Sequence, residues 1–344
     1  MTDVYVSGLG SFLPENKFSN REIYPRIRNF EIDRAKLSLS KKGIDVTALA
    51  EDEIFDHWVR QVTGIQNRTF YSPPAGKERS AVELMASFAA EKAVRESGLE
   101  FKDIEHIVFS SYTCDTVIPN AVCTLCDILG ITSASGIMLN GACSGFLDAF
   151  IDGYIKIAGG FFSNVLVVAS EYISNKIDFR DPATAILFSD GAGACVLRSG
   201  KKGIHGFHSA ITFNNEHITM DRGGPIYMDG GPLVQRKAVQ AMSTAAENAL
   251  RKFAIPESEI RYIIPHQANR RILEALELKL KPHNRCTVVK CIEQTGNLSS
   301  ATIPVAMDLL RNNRIAQTMY EPGGKTVLTS VGGGYTYSAV VLDF

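Results

Sequence analysis

The 344-residue chain has almost no net charge, because 36 lysine and arginine residues stand against 37 aspartate and glutamate residues. Such a balance gives no reason to expect binding to nucleic acid or to an anionic membrane. No uninterrupted apolar run reaches the roughly 18 residues that a membrane helix needs. The N-terminus lacks the charged and apolar segments of a signal peptide. We therefore expect a cytoplasmic protein with no nucleic-acid or membrane partner.

Disulfide bonds are not expected either, because the seven cysteines are odd in number and scattered over a large chain. Cys123 and Cys126 form a C-x-x-C pair. They lie in an apolar helical pattern, however, and no second pair follows at zinc spacing. We interpret them as part of a core helix rather than as a metal or redox site.

An internal repeat divides the chain into two halves. Ser87–Ser110 and Ser243–His266 share a pattern of helix, short acidic linker and apolar strand, at an offset of 156 residues. In each half a turn, a helix and another apolar strand follow: helices Leu147–Ile157 and Ala301–Leu310, strands Val165–Ala169 and Val327–Ser330. This alternation predicts parallel sheets, covered by helices and buried on both faces. We predict a duplicated α/β fold with α-β-α-β-α layers and halves at 1–198 and 199–344.

The segment Tyr24–Glu53 does not fit the repeat. It is polar, basic at first and acidic at its end. We expect an inserted, solvated surface element, with a lid or a partner-docking segment as the alternatives.

Cys143 lies in a turn of small residues, between Gly141 and Gly145, that opens a predicted helix. The glycines allow a tight turn and close approach of a substrate. A thiol at this position meets the positive end of a helix dipole and unpaired backbone N–H groups, and both stabilise a thiolate. Cys143 is therefore a candidate nucleophile.

His266 and Asn297 occupy comparable turns of the second half. Singly, each has an ordinary structural explanation, as a core histidine or as part of a Gly-Asn turn. Together with Cys143 they suit acyl transfer followed by carbanion chemistry. The thiolate would attack a thioester, and the histidine and asparagine donors would stabilise an enolate. The glycine turn Val331–Tyr335 offers backbone N–H groups for an oxyanion, although a plain turn has the same spacing.

These motifs resemble the thiolase superfamily and, within it, the β-ketoacyl-ACP synthase III family. The resemblance covers nearly the whole chain apart from Tyr24–Glu53. It rests on the following segments: Gly141–Phe146, Ser189–Ala194, His266–Asn269, Gly296–Ser300, Gly332–Gly334, and Trp58 with Thr63–Ile65.

The resemblance implies a homodimeric condensing enzyme that needs no metal or organic cofactor. Cys143 would accept the acyl group, His266 and Asn297 would promote decarboxylation of a malonyl thioester, and the N–H groups of Cys143 and Gly333 would form the oxyanion hole. Asn269 would contact the substrate, which arrives on the phosphopantetheine of acyl carrier protein or of CoA. The family positions that meet the acidic carrier are basic here: Arg236, Arg271 and Lys279.

The chain departs from the family pattern where CoA binds. The family residue at Trp58 stacks on adenine, and an arginine four residues later holds the nucleotide; here that position is Val62. A second nucleotide-binding arginine has no match near Asn175 or Lys176, and Gln235 replaces an aromatic residue. These losses remove contacts to the nucleotide. We therefore hypothesise that the acyl donor is a carrier-bound chain or an unusual CoA ester.

Ile118 replaces a phenylalanine that the family donates across the dimer to the partner's acyl pocket. The substitution favours an acyl group bulkier or longer than acetyl, unless it is neutral. A specialised synthase of natural-product biosynthesis is one reading of these departures.

Three functions fit the sequence. The first is decarboxylative Claisen condensation with a malonyl or β-ketoacyl thioester, in fatty acid or polyketide-type biosynthesis. The second is acyl transfer to a hydroxyl, an amine or water, and the third is non-catalytic carrier binding. The presence of both His266 and Asn297 favours condensation over plain transfer, and the intact Cys143 argues against the third function.

Overall fold

The structure is a computed structural model that describes residues 2–214, 216–229, 231–280, 282–316 and 318–344. Its strands are β1 (Val4–Phe12), β2 (Lys17–Ser19), β3 (Asn67–Thr69), β4 (His106–Ser110), β5 (Ser135–Leu139), β6 (Asn164–Glu171), β7 (Gly191–Ser199), β8 (Ile204–Ile211), β9 (Ile218–Met220), β10 (Ile226–Met228), β11 (Ile260–Pro265), β12 (Thr287–Val288), β13 (Lys325–Val331) and β14 (Thr336–Asp343). Its helices are α1 (Asn20–Ile23), α2 (Ile32–Ser40), α3 (Glu51–Thr63), α4 (Ala81–Ser97), α5 (Ala121–Leu129), α6 (Gly145–Ala158), α7 (Pro182–Ala185), α8 (Gly231–Lys252), α9 (Arg270–Leu280), α10 (Ile292–Thr295) and α11 (Thr302–Arg311).

Two five-stranded sheets have the same strand order. The first sheet runs β1-β7-β6-β4-β5 and the second runs β8-β14-β13-β11-β12. In each sheet the fourth strand pairs in parallel with both neighbours, and the two remaining pairings are antiparallel. The shared order and directions confirm the duplicated α/β fold that the repeat predicts.

The prediction of parallel sheets is wrong for one strand in each sheet, β7 and β14, each of which pairs antiparallel with both of its neighbours. β14 follows β13 after only four residues, and such a tight turn reverses the chain, whereas a parallel connection needs a dozen residues or more. In the first half β7 likewise returns antiparallel to β6, and the only α-helix between them is the four-residue α7.

The layers are those predicted from the sequence. Helices α6 and α11 lie between the two sheets, in one apolar cluster that includes Val167 of the first sheet and Leu328 of the second. Residues 302–310 of α11 are all buried, as expected of a helix enclosed on every side. Helices α4 and α5 cover the outer face of the first sheet, and α8 and α9 cover that of the second.

The helix predicted around the C-x-x-C pair is present as α5, but it is only partly a core helix. Leu125 is buried, whereas Cys123 is exposed and Cys126 is half-buried. The reason is position, because α5 packs near β5, the edge strand of its sheet. In the described ranges no three metal-ligating side chains cluster.

The segment 24–53 is folded and packs on α3. Ala35 and Leu39 of α2 join Ile54 of α3 in a small apolar cluster, while the outer face of α2 is exposed. The acidic end of the predicted insertion, Glu51–Glu53, is the first turn of α3, where negative charge complements the helix dipole. Among the described residues, no helix combines the length and the hydropathy needed to cross a membrane.

Candidate active site

One cavity of about 280 Å³ brings together most of the residues that the sequence singled out. Cys143 comes from the turn before α6, His266 from the end of β11, Asn297 from the turn before α11, and Gly333 from the β13–β14 turn. All four line the cavity, as does Asn269. The duplicated sheets thus deliver corresponding turns of the two halves to one place.

Three site turns carry a non-glycine residue in the left-handed region. The φ angles are 47° at Ala142, 51° at Ser299 and 54° at Tyr335. Such backbone is unfavourable for residues with a Cβ and persists where the surroundings enforce it, often at functional sites.

The glycine turn 332–334 packs directly on the nucleophile turn. A Cβ on Gly332 would lie 2.6 Å from the carbonyl oxygen of Gly141 and 3.0 Å from the amide nitrogen of Ser144. Only glycine fits such an approach. Cys143 and Gly333 both stand in the first turn of a 3₁₀ segment, where helical geometry leaves N–H groups without a partner. The contact therefore brings two candidate oxyanion donors near each other.

The Cys143 thiol is enclosed by protein atoms but open to the cavity. Burial raises its pKa to about 11, and a hydrogen bond with Ser299 acts in the opposite direction. The distance between Cys143 Sγ and Ser299 Oγ is 3.2 Å. Helix α6 begins two residues after Cys143, so the helix N-terminus faces the thiol as the sequence predicted.

His266 is 2 % exposed, and its burial lowers the imidazole pKa to about 3. The ring is therefore neutral at physiological pH. Thr302 Oγ1 lies 2.7 Å from His266 Nδ1 and 2.9 Å from the carbonyl oxygen of Ser299. That carbonyl also accepts the Thr302 N–H, and the single hydroxyl proton can be given either to it or to Nδ1. When the hydroxyl donates to Nδ1, the ring proton is on Nε2, which is the tautomer that the chemistry proposed below requires.

Asn297 is fixed at both its backbone and its side chain. Its N–H donates to Leu187 O at 3.0 Å, and its carbonyl accepts from Ser189 N at 2.9 Å. Its side-chain Oδ1 accepts the Ser299 N–H at 2.8 Å. The amide Nδ2, 3.4 Å from Ala268 O, keeps donor capacity for a molecule in the cavity. The Ser189–Ala194 motif thus acts by holding the asparagine turn.

Sequence reasoning missed three residues that organise this site. Ser299 contacts the Cys143 thiol, Thr302 contacts the His266 ring, and Glu171 lies fully buried nearby. Burial raises the Glu171 pKa to about 7, and its charge contributes to the raised pKa of Cys143. Ser299 belongs to the Gly296–Ser300 motif, which was the one available signal. Glu171 ends an apolar strand and carried no signal.

The three predicted carrier-contact residues lie beside the cavity on α8 and α9. Arg271 lines the cavity itself. Arg236 and Lys279 line an adjacent surface hollow, and Gln235 belongs to both. These cations therefore form one basic face next to the cavity.

Trp58 and Ile118 are not among the described residues that line the cavity. Trp58 packs against Phe30 of the inserted segment, with ring centroids 5.1 Å apart, although Val62 of the same helix does reach the cavity. Ile118 is 89 % exposed after β4. A role for Ile118 in an acyl pocket therefore requires a second copy of the chain.

Two models of one family match the chain. The model for 3-oxoacyl-[acyl-carrier-protein] synthase III covers residues 138–214, and the model for its C-terminal part covers residues 250–344. Together they span half of the sequence and include Cys143, His266, Asn297 and Gly333.

Solved structures agree over the whole length. The synthase III from Aquifex aeolicus VF5 is 27% identical, with a TM-score of 0.82 over 99% of this chain and 100% of that chain. The enzyme from Pseudomonas aeruginosa PAO1 is 28% identical, with a TM-score of 0.79 over 99% and 98%. The priming β-ketosynthase of the R1128 polyketide pathway is 27% identical, with a TM-score of 0.83 over 99% and 96%. The chain therefore belongs to the 3-oxoacyl-ACP synthase III family of condensing enzymes, which have the thiolase-like fold.

Proposed function

We propose that the protein transfers an acyl group from a thioester to Cys143 and then condenses it with a malonyl thioester. The observation that carries this proposal is the convergence of Cys143, His266 and Asn297 on one cavity lined largely by apolar side chains. A β-ketoacyl thioester is the alternative extender. No metal or organic cofactor enters the proposed reaction.

In the first step Cys143 Sγ attacks the donor thioester carbonyl. The N–H groups of Cys143 and Gly333 stabilise the oxyanion. The bond from the acyl carbon to the donor sulfur then breaks, and the donor thiol leaves with the proton that Cys143 gave up. The acyl group remains on Sγ as a thioester.

In the second step His266 and Asn297 act on the malonyl thioester. His266 Nε2–H and Asn297 Nδ2–H donate to its carbonyl oxygen, so negative charge can build there as carbon dioxide departs. The resulting enolate carbon attacks the acyl carbon on Cys143. A carbon–carbon bond forms, the bond to Sγ breaks, and the departing thiolate takes up a proton to restore the resting thiol.

The proposal is tested by intact-protein mass spectrometry with a donor, followed by a malonyl carrier protein. Wild type should give an acyl adduct and then a β-keto product. Cys143→Ala should give no adduct, whereas His266→Ala and Asn297→Ala should acylate but not decarboxylate. An ester or a free acid as the product would support plain acyl transfer instead. Loss of acylation in His266→Ala would contradict the division of roles.

The proposed donor is an acyl carrier protein rather than free acyl-CoA. Phe30 covers part of the Trp58 ring, and Val62 offers no charge to a nucleotide. The basic face formed by Arg236, Arg271 and Lys279 suits an acidic carrier. The test compares the rates at which acyl-CoA and acyl-carrier protein load Cys143. Equal or faster loading from CoA would contradict the choice of donor.

The proposal includes a homodimer built through β5. This strand is the edge of its sheet, and edge strands present unpaired backbone groups that invite pairing. Apolar side chains are exposed around it, including Ile137 and Val117, and Ile118 is positioned to reach a partner. Light scattering after size exclusion should give twice the mass of 37.6 kDa. A monomer at micromolar concentration would contradict this assembly.

The proposed location is a reducing compartment such as the cytoplasm. All seven cysteines are free, including the nucleophile, which must stay reduced to function. Cell fractionation with a tagged chain tests this, and recovery from an oxidising compartment would contradict it.

A further inference from the structure

Two hydroxyl groups next to the nucleophile have no part in the reaction described above. Ser299 is fully buried, and its Oγ lies 3.2 Å from Cys143 Sγ. The Tyr112 hydroxyl oxygen is also buried and makes no hydrogen bond to any described residue. Burial raises the Tyr112 pKa well above its usual value, and the nearby Ser299 hydroxyl acts in the opposite direction. A buried phenol without a partner is costly, so its position calls for a reason.

A single carboxyl group holds both hydroxyl residues through their chain neighbours. Glu171 Oε2 accepts hydrogen bonds from Thr113 Oγ1 at 2.7 Å, Ser111 Oγ at 3.1 Å and Tyr112 N at 3.4 Å. Its other oxygen, Oε1, accepts from Ser300 Oγ at 2.6 Å. The loop after β4 and the turn before α11 are thereby tied to the same group. This clamp fixes the spacing between Tyr112 and the residue next to Ser300.

The backbone of Ser299 adds a second constraint. Its φ of 51° is left-handed, and its N–H is held by Asn297 Oδ1 at 2.8 Å. Its carbonyl accepts the Thr302 N–H. The hydroxyl is therefore held against the sulfur by a conformation that the surrounding contacts enforce.

We propose that Tyr112 and Ser299 form a two-hydroxyl relay that stabilises the Cys143 thiolate. Ser299 O–H donates to Sγ, and Tyr112 O–H donates to Ser299 Oγ. The relay rests on the proposed role of Cys143 as the nucleophile. Ser299 touches the reacting sulfur and is a catalytic residue, whereas Tyr112 acts through Ser299 and is a positioning residue.

The relay explains why Tyr112 has no partner in the resting site. A neutral Cys143 can donate its S–H to Ser299 Oγ, and this oxygen then gains little from a second donor. An ionised Cys143 can only accept, so Ser299 must turn its proton to the sulfur, which leaves the serine oxygen free to accept from Tyr112. No proton changes its oxygen in this step. The relay opposes the two factors that raise the Cys143 pKa, which are burial and the Glu171 charge.

The test measures the pH dependence of Cys143 alkylation by iodoacetamide, without acyl donor, resolved by peptide mass spectrometry. Ser299→Ala should raise the apparent pKa by about one unit, which slows alkylation about tenfold at pH 8, because one bond to a charged group is lost. Tyr112→Phe should slow it about threefold, because it removes a bond between neutral groups. The double variant should match Ser299→Ala alone, since Tyr112 acts only through Ser299.

Matched controls remove the same groups elsewhere. Ser87 donates to Leu84 O at 2.9 Å on α4, and the Tyr262 hydroxyl accepts from Glu321 N at 2.8 Å. Ser87→Ala and Tyr262→Phe should leave the Cys143 pKa unchanged. The exposed Cys123 in each sample reports whether the reagent behaves alike throughout.

Three outcomes would overturn the relay: no pKa shift in Ser299→Ala, no shift in Tyr112→Phe, or additive shifts in the double variant. Additive shifts would mean that Tyr112 acts on the sulfur directly. Because no acyl donor is present, such a result leaves the proposed condensation untouched. Conversely, the expected shifts without any condensation product would support the relay and contradict the proposed function.

Discussion

Thr302→Val tests how the protein sets the proton of His266. Thr302 Oγ1 is 2.7 Å from Nδ1 and, by donating to it, would hold the neutral ring with its proton on Nε2, where the proposed enolate oxygen forms. Valine keeps the branched shape of threonine and removes only the hydroxyl. The Ser299 carbonyl keeps its bond from the backbone N–H of residue 302, so the turn retains its main support.

The expected cost follows from the lost bond. A buried hydrogen bond contributes about 1 kcal/mol, so decarboxylation should slow about five- to tenfold as the ring loses its preferred tautomer and orientation. In the variant, His266 Nδ1 is buried without a hydrogen-bond partner, which should lower the free energy of unfolding by about 1–3 kcal/mol. Acylation should be unchanged, because no bond joins the Thr302 hydroxyl to Cys143 in the structure.

The two steps are measured separately, acylation by mass spectrometry of the acyl-enzyme and decarboxylation by release of carbon dioxide from a malonyl thioester. Thr326→Val is the matched control, because the Thr326 hydroxyl is also buried but has no hydrogen-bond partner among the described residues. Unaltered decarboxylation in Thr302→Val, or an equal slowing of both steps, would refute the tautomer argument.

Three further predictions concern a charge, a turn and a surface. Burial raises the Glu171 pKa from 4.5 to about 7, so the folded state binds the extra proton and stability falls by about 3 kcal/mol as pH rises through this range. Glu171→Gln should lose that slope in urea unfolding; an unchanged slope would contradict the assignment. Gly332→Ala should slow acylation by about 100-fold, because the added Cβ would displace the turn that holds Cys143. Near-normal acylation would contradict this expectation and show that the turn accommodates the Cβ. Arg236→Glu with Lys279→Glu should raise KM for a carrier-bound donor about tenfold at low salt, but not for a small soluble thioester.

The repeat was enough to predict the fold because the offset of 156 residues matches α4 and β4 with α8 and β11, and α6 with α11. A run of apolar residues indicates that a strand is buried but does not indicate the direction in which the strand runs. For this reason the layers were right and the antiparallel β7 and β14 were missed. The four-residue turn before β14 was a usable clue, since it is too short for a crossover.

The convergence of Cys143, His266 and Asn297 on one cavity could be predicted, because each lies in a short motif at a comparable turn. Their supporting residues could not. Ser299 and Ser300 are adjacent and identical in type, yet one contacts Cys143 and the other contacts Glu171. The two serines differ in backbone conformation, because Ser299 has a left-handed φ. No glycine in the sequence indicates that conformation at this position. A conformation imposed by tertiary packing leaves no local pattern to read.

Burial favours the uncharged form of both Cys143 and His266, and this affects both steps of the proposed reaction. It raises the pKa of Cys143 to about 11 and lowers that of His266 to about 3, so the resting pair is a neutral thiol and a neutral imidazole. The thiolate therefore has to be made as the donor is attacked, when the departing thiol can carry the proton away. With its proton on Nε2 the neutral imidazole can still donate, so the proposed decarboxylation needs no protonation of His266. Largely apolar walls make a malonyl carboxylate costly to hold and neutral carbon dioxide easy to release. The same surroundings that make the nucleophile hard to ionise thus favour the second step.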